Sequence, residues 1–210
     1  MVEAQAHYSR YSASVGWKPI DDLKMELTPE IHLEDFQEIS EWLITYGLEY
    51  KLFSFLEVGG SVRWNTEYKD SEPIRSVRYS GDMVIKVPVE RFEFQLRSRL
   101  SNYVEYDEEQ ENNTAYRSRF KAEYDIRKCK ISPNLFGEMF FTTKGFDLSK
   151  IRYGFGLDWN LPKRNSIEVG YFFQTYPNRT KRVQVFEVNW SYFIKNGIKR
   201  LKRKPHLSTL

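Results

Sequence analysis

From Tyr11 to Ile194 apolar and polar side chains alternate with a period of two, in segments separated by turn-forming stretches. Each segment is about ten residues long, the length a tilted strand needs to cross a bilayer. The run Ile151, Tyr153, Phe155, Leu157, Trp159, Leu161 is the clearest case, with Arg152, Gly154, Gly156, Asp158 and Asn160 between. Similar segments cover Tyr11–Trp17, Leu23–Ile31, Trp42–Tyr50, Leu56–Trp64, Val77–Val87, Phe92–Leu100, Tyr116–Ile126, Ile131–Phe141, Ile167–Phe173 and Phe186–Tyr192. A helix puts residues three and four apart on one face, so a sustained period of two excludes it here.

A half-apolar strand must bury or cover its apolar face. In a sandwich that face turns inward; in a membrane barrel it turns to lipid. Mean hydropathy is −0.62, yet 16% of residues are aromatic, including 14 Tyr and 15 Phe. No stretch approaches the roughly 18 apolar residues of a spanning helix, whereas barrel strands show lipid only every second side chain. These features predict an all-β, up-and-down antiparallel transmembrane β-barrel of about 10–12 strands. The visible segments number eleven, and antiparallel closure needs an even count. A twelfth strand, or a wrong division of two segments, is therefore expected.

Short turns are expected near Pro19–Asp22, Leu52–Phe55, Pro88–Arg91, Arg127–Lys130 and Pro162–Asn165, and longer links near Glu34–Ser40, Lys69–Ser76, Asp107–Thr114, Thr143–Ser149 and Pro177–Lys181. Short turns on the periplasmic side and longer loops outside are the outer-membrane pattern. That places Cys129, the single cysteine, in a periplasmic turn. Aromatics near strand ends then form two girdles: Trp17, Tyr50, Tyr124, Trp159, Trp190 and Tyr192 toward the turns, Trp42 and Trp64 toward the loops.

The polar face would line the lumen. Registers estimated from turn centres set Lys86 against Glu93, Asp82 against Arg97, Glu67 against Arg78, Arg63 against Asp82, Arg97 against Glu123 and Arg119 against Glu138. Arg63, Asp82, Arg97 and Glu123 would then form one chain across four strands. Opposed charges of this kind favour strand pairing modestly. Gly47, Gly59, Gly154, Gly156 and Gly170 would leave room for long arginine side chains, and a constricted lumen follows.

Catalytic patterns are missing. There is no phosphate-binding glycine loop, nucleophile elbow or metal-spaced His/Cys set, so no catalytic residue, cofactor or metal is expected. The histidines are His7, His32 and His206, with His32 at a strand end beside Glu30 and Glu34. Asp107, Glu108, Glu109 and Glu111 make an acidic loop without calcium-loop spacing. A net charge of +3 does not point to nucleic acid. The basic excess sits in Lys195–Lys204, within a tail at 195–210. Ala4-Gln5-Ala6 is similar to the end of a secretory signal, so residues 1–10 are read as a segment before the barrel, which is expected over 11–194.

The segments Arg10-Tyr-Ser-Ala-Ser-Val-Gly-Trp-Lys-Pro19, Gly47-Leu-Glu-Tyr-Lys51 and Glu123-Tyr-Asp-Ile126 carry a family likeness. The chain resembles an uncharacterised outer-membrane β-barrel family of Bacteroidetes-type bacteria, a domain of unknown function. The resemblance implies no catalytic residues. It implies outer-membrane lipid and the barrel-assembly machinery as partners, with small ions or solutes in the lumen. A porin-like or structural barrel is expected. The alternatives are a barrel enzyme acting on lipid or peptide, and a soluble β-barrel or sandwich binding an apolar ligand.

Overall fold

The structure, a computed structural model, describes residues 5–69, 72–106, 113–143, 145–177 and 179–194. The basic tail, Ala4, His206 and the acidic residues Asp107 to Glu111 lie outside the described residues. The strands are β1 (Gln5–Ile20), β2 (Leu23–Glu34), β3 (Glu38–Phe53), β4 (Leu56–Lys69), β5 (Glu72–Val89) and β6 (Phe92–Glu105), followed by β7 (Asn113–Tyr124), β8 (Ile131–Thr142), β9 (Leu148–Leu161), β10 (Asn165–Tyr176) and β11 (Arg179–Ile194). One 3₁₀ turn, Pro162–Arg164, joins β9 to β10.

The eleven strands close into a single barrel in which each strand pairs with its sequence neighbours. All hairpins are antiparallel; the seam is not. An odd number of alternating strands brings the first and last in with the same direction, and β1 pairs with β11 in parallel from Gln5↔Arg182 to Trp17↔Ile194. The expected twelfth strand is therefore unnecessary. Parallel pairing removes the parity requirement that antiparallel closure imposes. The same seam explains why β1 starts at Gln5 and not at Tyr11. Tyr8 and Arg10 face the interior beside Val185 and Glu187, so residues expected to precede the barrel belong to it.

Strands run from 12 to 18 residues, several longer than the alternation suggested. The additional length comes out of the links. One end of the barrel carries the connections at 21–22, 54–55, 90–91, 125–130 and 162–164, and the other those at 35–37, 70–71, 106–112, 143–147 and 177–178. The two ends, here the turn end and the loop end, thus differ little in loop length. The expected contrast between short turns and long loops is a correction, and with it goes the basis for orienting the barrel. Tight hairpins put ordinary residues into the left-handed region, such as Glu90 (φ 54°) and Lys163 (φ 59°). Positive φ there lets a short turn follow the twist of the strands.

The period of two sorts side chains onto two faces. Outward lie Leu27, Leu48, Met83, Leu96, Phe120 and Val169 in a middle zone, all exposed. Leu135 is 65% and Leu157 48% exposed on that face. Aromatics flank this zone. Near the turns, Trp159, Trp190, Tyr192 and Tyr50 are exposed, Trp17 packs on Tyr46, and Tyr124 packs on Phe92 with ring centroids 4.9 Å apart. Toward the loops, Trp42, Trp64, Tyr79 and Tyr153 are exposed. The inward face is mostly polar and charged, with Leu43 and Val84 buried among the polar groups and one apolar cluster near the loop end.

Candidate functional site: a charge-divided lumen

Inside the barrel lies a cavity of about 610 Å³. Eight arginines among the described residues line it: Arg10, Arg63, Arg78, Arg97, Arg99, Arg117, Arg119 and Arg152. The charges divide by wall. Among the described residues lining the cavity, strands β4 to β9 bring Lys150 and every arginine but Arg10, against two carboxylates, Asp82 and Glu138. Strands β10, β11 and β1 to β3 bring six carboxylates, Glu26, Glu30, Glu41, Glu49, Glu168 and Glu187, with two cations, Arg10 and Lys24, beside His32. One wall is cationic and the wall facing it is anionic.

The cationic wall is built on β5 to β8. Arg97 stands opposite Arg119 and Arg99 opposite Arg117 across the β6–β7 pair. Like charges directly opposed disfavour pairing. The flanking strands offset this with one carboxylate each. Asp82, whose side chain is 6% exposed, accepts from Arg97 Nε at 2.9 Å and from Arg99 through Nε at 2.6 Å and Nη2 at 2.9 Å. The Arg99 pair is a bidentate fork, the strongest carboxylate geometry a side chain offers. Glu138, 4% exposed, has Arg119 at 3.6 Å, Arg152 at 3.7 Å and Arg117 at 3.8 Å. It serves three guanidiniums at once and bonds none closely.

Phenyl rings take up what carboxylates do not. Arg119 sits over Phe136 at 4.5 Å, Arg152 over Phe140 at 4.8 Å and over Phe172 at 5.3 Å, and Lys150 over Phe140 at 4.4 Å. A cation over a ring face keeps part of its stabilisation where water is scarce. Phe136 and Phe172 belong to an apolar cluster with Val183 and Val185 that fills the lumen toward the loop end. Gly154 makes space for it. A Cβ there would collide with Tyr171 O and with Phe172, so the glycine admits a phenyl ring, where a long arginine was expected.

The anionic wall contains a compact group. His32 has Glu30 on Nε2 and Glu41 on Nδ1, and Arg63 lies 4.0 Å from Glu30 while donating from Nε to Thr45 Oγ1 at 2.8 Å. Carboxylates occupy both ring nitrogens, so neither is left to activate a nucleophile. Glu187 has no ion pair within 4 Å among the described residues.

Toward the turn end the lumen changes chemistry. Its cations are lysines, each beside carboxylates: Lys86 with Glu57 at 2.6 Å, Lys24 with Glu26 at 2.7 Å, and Lys121 with Asp158 at 3.0 Å and Glu123 at 3.2 Å.

Of the six pairings read from turn centres, the structure brings two together. Arg119 stands opposite Glu138, and Arg97 reaches Asp82 as a diagonal neighbour. The others are displaced along their strands. Lys86 opposes Gln95 while Glu93 opposes Pro88; Glu67 opposes Ile74; Arg78 opposes Arg63; Gly59 opposes Asp82; Glu93 opposes Glu123. The four-strand chain Arg63–Asp82–Arg97–Glu123 is therefore not formed. In its place stands Asp82–(Arg97, Arg99)–(Arg117, Arg119)–Glu138, also across four strands. Arg99, Arg117, Arg152 and Phe172 were not singled out from the sequence. The triplets Arg97-Ser98-Arg99 and Arg117-Ser118-Arg119 were the available signal, because a spacing of two sets both arginines on one face.

The comparisons with known proteins give one answer. No curated protein matches the chain. Residues 8–185 match the family described as protein of unknown function DUF2490, and the chain belongs to that family.

Proposed function

We propose that this DUF2490 member is a transmembrane β-barrel of a bacterial outer membrane, porin-like in build, whose lumen is a narrow polar chamber. The observation that supports it is the inversion of the two faces: charge inside, exposed large apolar side chains around the outside. Soluble monomers rarely expose contiguous apolar patches beyond a few hundred Å². Here exposed residues such as Leu48, Met83, Leu96, Phe120, Leu135 and Leu157 recur from strand to strand. Lipid satisfies that surface, and the flanking Trp and Tyr suit the two interfaces. A soluble barrel carrying an apolar ligand needs the reverse arrangement, with an apolar interior.

Eleven strands lie between the roughly eight that side chains fill and the sixteen or more that leave an aqueous channel. The lining decides. Asp82 and Glu138 gather long arginine side chains along one wall, where they project into the lumen, and the Phe136–Phe172 cluster fills space toward the loops. The lumen excludes oligosaccharides and passes small ions weakly.

Secreted expression in a Gram-negative host tests the reading. The chain should fractionate with the outer membrane and show heat-modifiable electrophoretic migration. Leu157→Arg should destabilise it by about 2–4 kcal/mol in a bilayer. Recovery as a folded monomer in buffer without detergent would refute the proposal. Large steady conductance in planar bilayers would refute the narrow lumen alone. Cys129, exposed in the 125–130 turn, reports with an impermeant thiol reagent which end faces outward.

A further inference from the structure

The cationic wall holds more guanidinium than its carboxylates can serve. We propose that it is a binding site for a small multivalent oxyanion, a phosphate group free or carried as an ester, held between β6 and β7 inside the lumen. The site goes beyond the membrane reading and stands whether or not the barrel conducts.

Four arginines form its floor, Arg97 opposite Arg119 and Arg99 opposite Arg117. Asp82 satisfies the first strand's pair through hydrogen bonds of 2.6–2.9 Å. The carboxylate nearest the second strand's pair is Glu138, at 3.6 and 3.8 Å, beyond hydrogen-bond distance and shared with Arg152. The shortfall shows in individual atoms. Nε of Arg119, on the floor itself, is buried with no hydrogen-bond acceptor among the described residues, as are Nε of Arg78 further along the same wall and Nε of Arg10 on the facing one. Buried donors without acceptors are uncommon and costly. These arginines border a cavity of about 610 Å³, many times the roughly 30 Å³ that one water occupies in the liquid.

The choice of cation matters as much as the count. At the turn end, lysines meet carboxylates nearly one for one. On this wall the chain uses arginine, whose planar fork matches phosphate oxygens two at a time. A tetrahedral dianion seated between Arg117 and Arg119 supplies the acceptors that Glu138 cannot, and it relieves the repulsion between the facing pairs. The carboxylates of the opposite wall, Glu187 and Glu168 among them, keep an anion on the arginine side. An amine carried by a phosphate ester would face those carboxylates.

Thermal unfolding of the full chain folded in detergent provides the test, with sodium phosphate, glycerol 3-phosphate and phosphoethanolamine titrated against sodium chloride at equal ionic strength. Phosphate should raise the midpoint saturably and chloride should not. A response equal among the three marks a site for the free anion; tighter binding of either ester marks an ester site. The double variant Arg117→Gln/Arg119→Gln should bind about tenfold more weakly or worse, the equivalent of one lost charged hydrogen bond. Glu187→Gln should keep or improve binding. If the double variant does not fold, Arg119→Gln alone removes the orphaned donor from the floor itself and should also weaken binding. A phosphate response no larger than that of chloride, or one that survives unchanged in the folded arginine variants, overturns the proposal.

Discussion

The two walls of the lumen solve the problem of enclosed charge differently. On β4 to β9, arginines crowd around two carboxylates, so each carboxylate is shared and nearly inaccessible. On β10 to β3, carboxylates are in excess and fewer are tied: Glu30 and Glu41 hold His32, while Glu187 stands free of ion pairs within 4 Å among the described residues. Removing a shared, buried partner strands several charges together; removing an excess charge strands none. The two walls should therefore respond in opposite ways to neutralisation.

Four substitutions break or sharpen that contrast. Glu138→Gln should have the largest effect, because it leaves Arg117, Arg119 and Arg152 without their common carboxylate. A loss of about 3–5 kcal/mol is expected from urea unfolding in micelles, and a loss under about 1 would refute the sharing. Asp82→Asn comes next, at about 1.5–3 kcal/mol, since the amide still accepts one bond and Arg97 is partly solvated. Arg97→Ala should cost about 1 kcal/mol or less. Only the Arg97–Asp82 bond is lost, because Arg99 retains the bidentate bond to Asp82 and Glu123 is held by Lys121. Its small-ion conductance should rise slightly at most, and a wide, steady channel in this variant would place the constriction at Arg97 alone. Glu187→Gln should alter stability by no more than about 0.5 kcal/mol. It should shift the reversal potential under a salt gradient toward anion preference. A large loss of stability here would mean that the anionic wall is as tightly coupled as the cationic one.

The faces of this barrel were legible in the sequence; the partners across strands were not. Side-chain direction depends only on whether a position is odd or even, and errors in locating a turn by two or four residues leave it unchanged. The β5–β6 hairpin shows this. Pro88 marks a turn by composition, yet it remains in β5 opposite Glu93, and the bend falls one step later where Glu90 takes a positive φ. Lys86 thus faces Gln95 and not Glu93, still inside the lumen. The β7–β8 register was correct because Lys128 and Cys129 do lie at its turn, and Arg119 meets Glu138 there. The separation of arginine from glutamate onto two walls depends on which strands are neighbours around a closed ring. No local pattern encodes that, although the two Arg-Ser-Arg triplets on adjacent strands hinted at it. The parallel seam was invisible for the same reason, since it joins the most distant segments of the chain.

That seam has a consequence for how the barrel assembles. Ser12 donates to Asn189 across it over a separation of 177 residues, whereas every other strand pair is closed by a short hairpin. Hairpins can form one after another as local events, but the β1–β11 contact pays nearly the whole chain's loop-closure entropy at once. It should be the last pairing to form and the first to open, with the edge of β1 waiting unpaired in the meantime. Because β1 enters at the loop end and β11 leaves at the turn end, no tight turn can fuse them. A circular permutant would need a linker crossing the full height of the wall, about 40 Å for tilted strands of this length, or roughly a dozen residues. In an even-stranded barrel the two ends meet at one rim and a turn suffices; here the odd strand makes the seam a hinge that only the completed ring can lock.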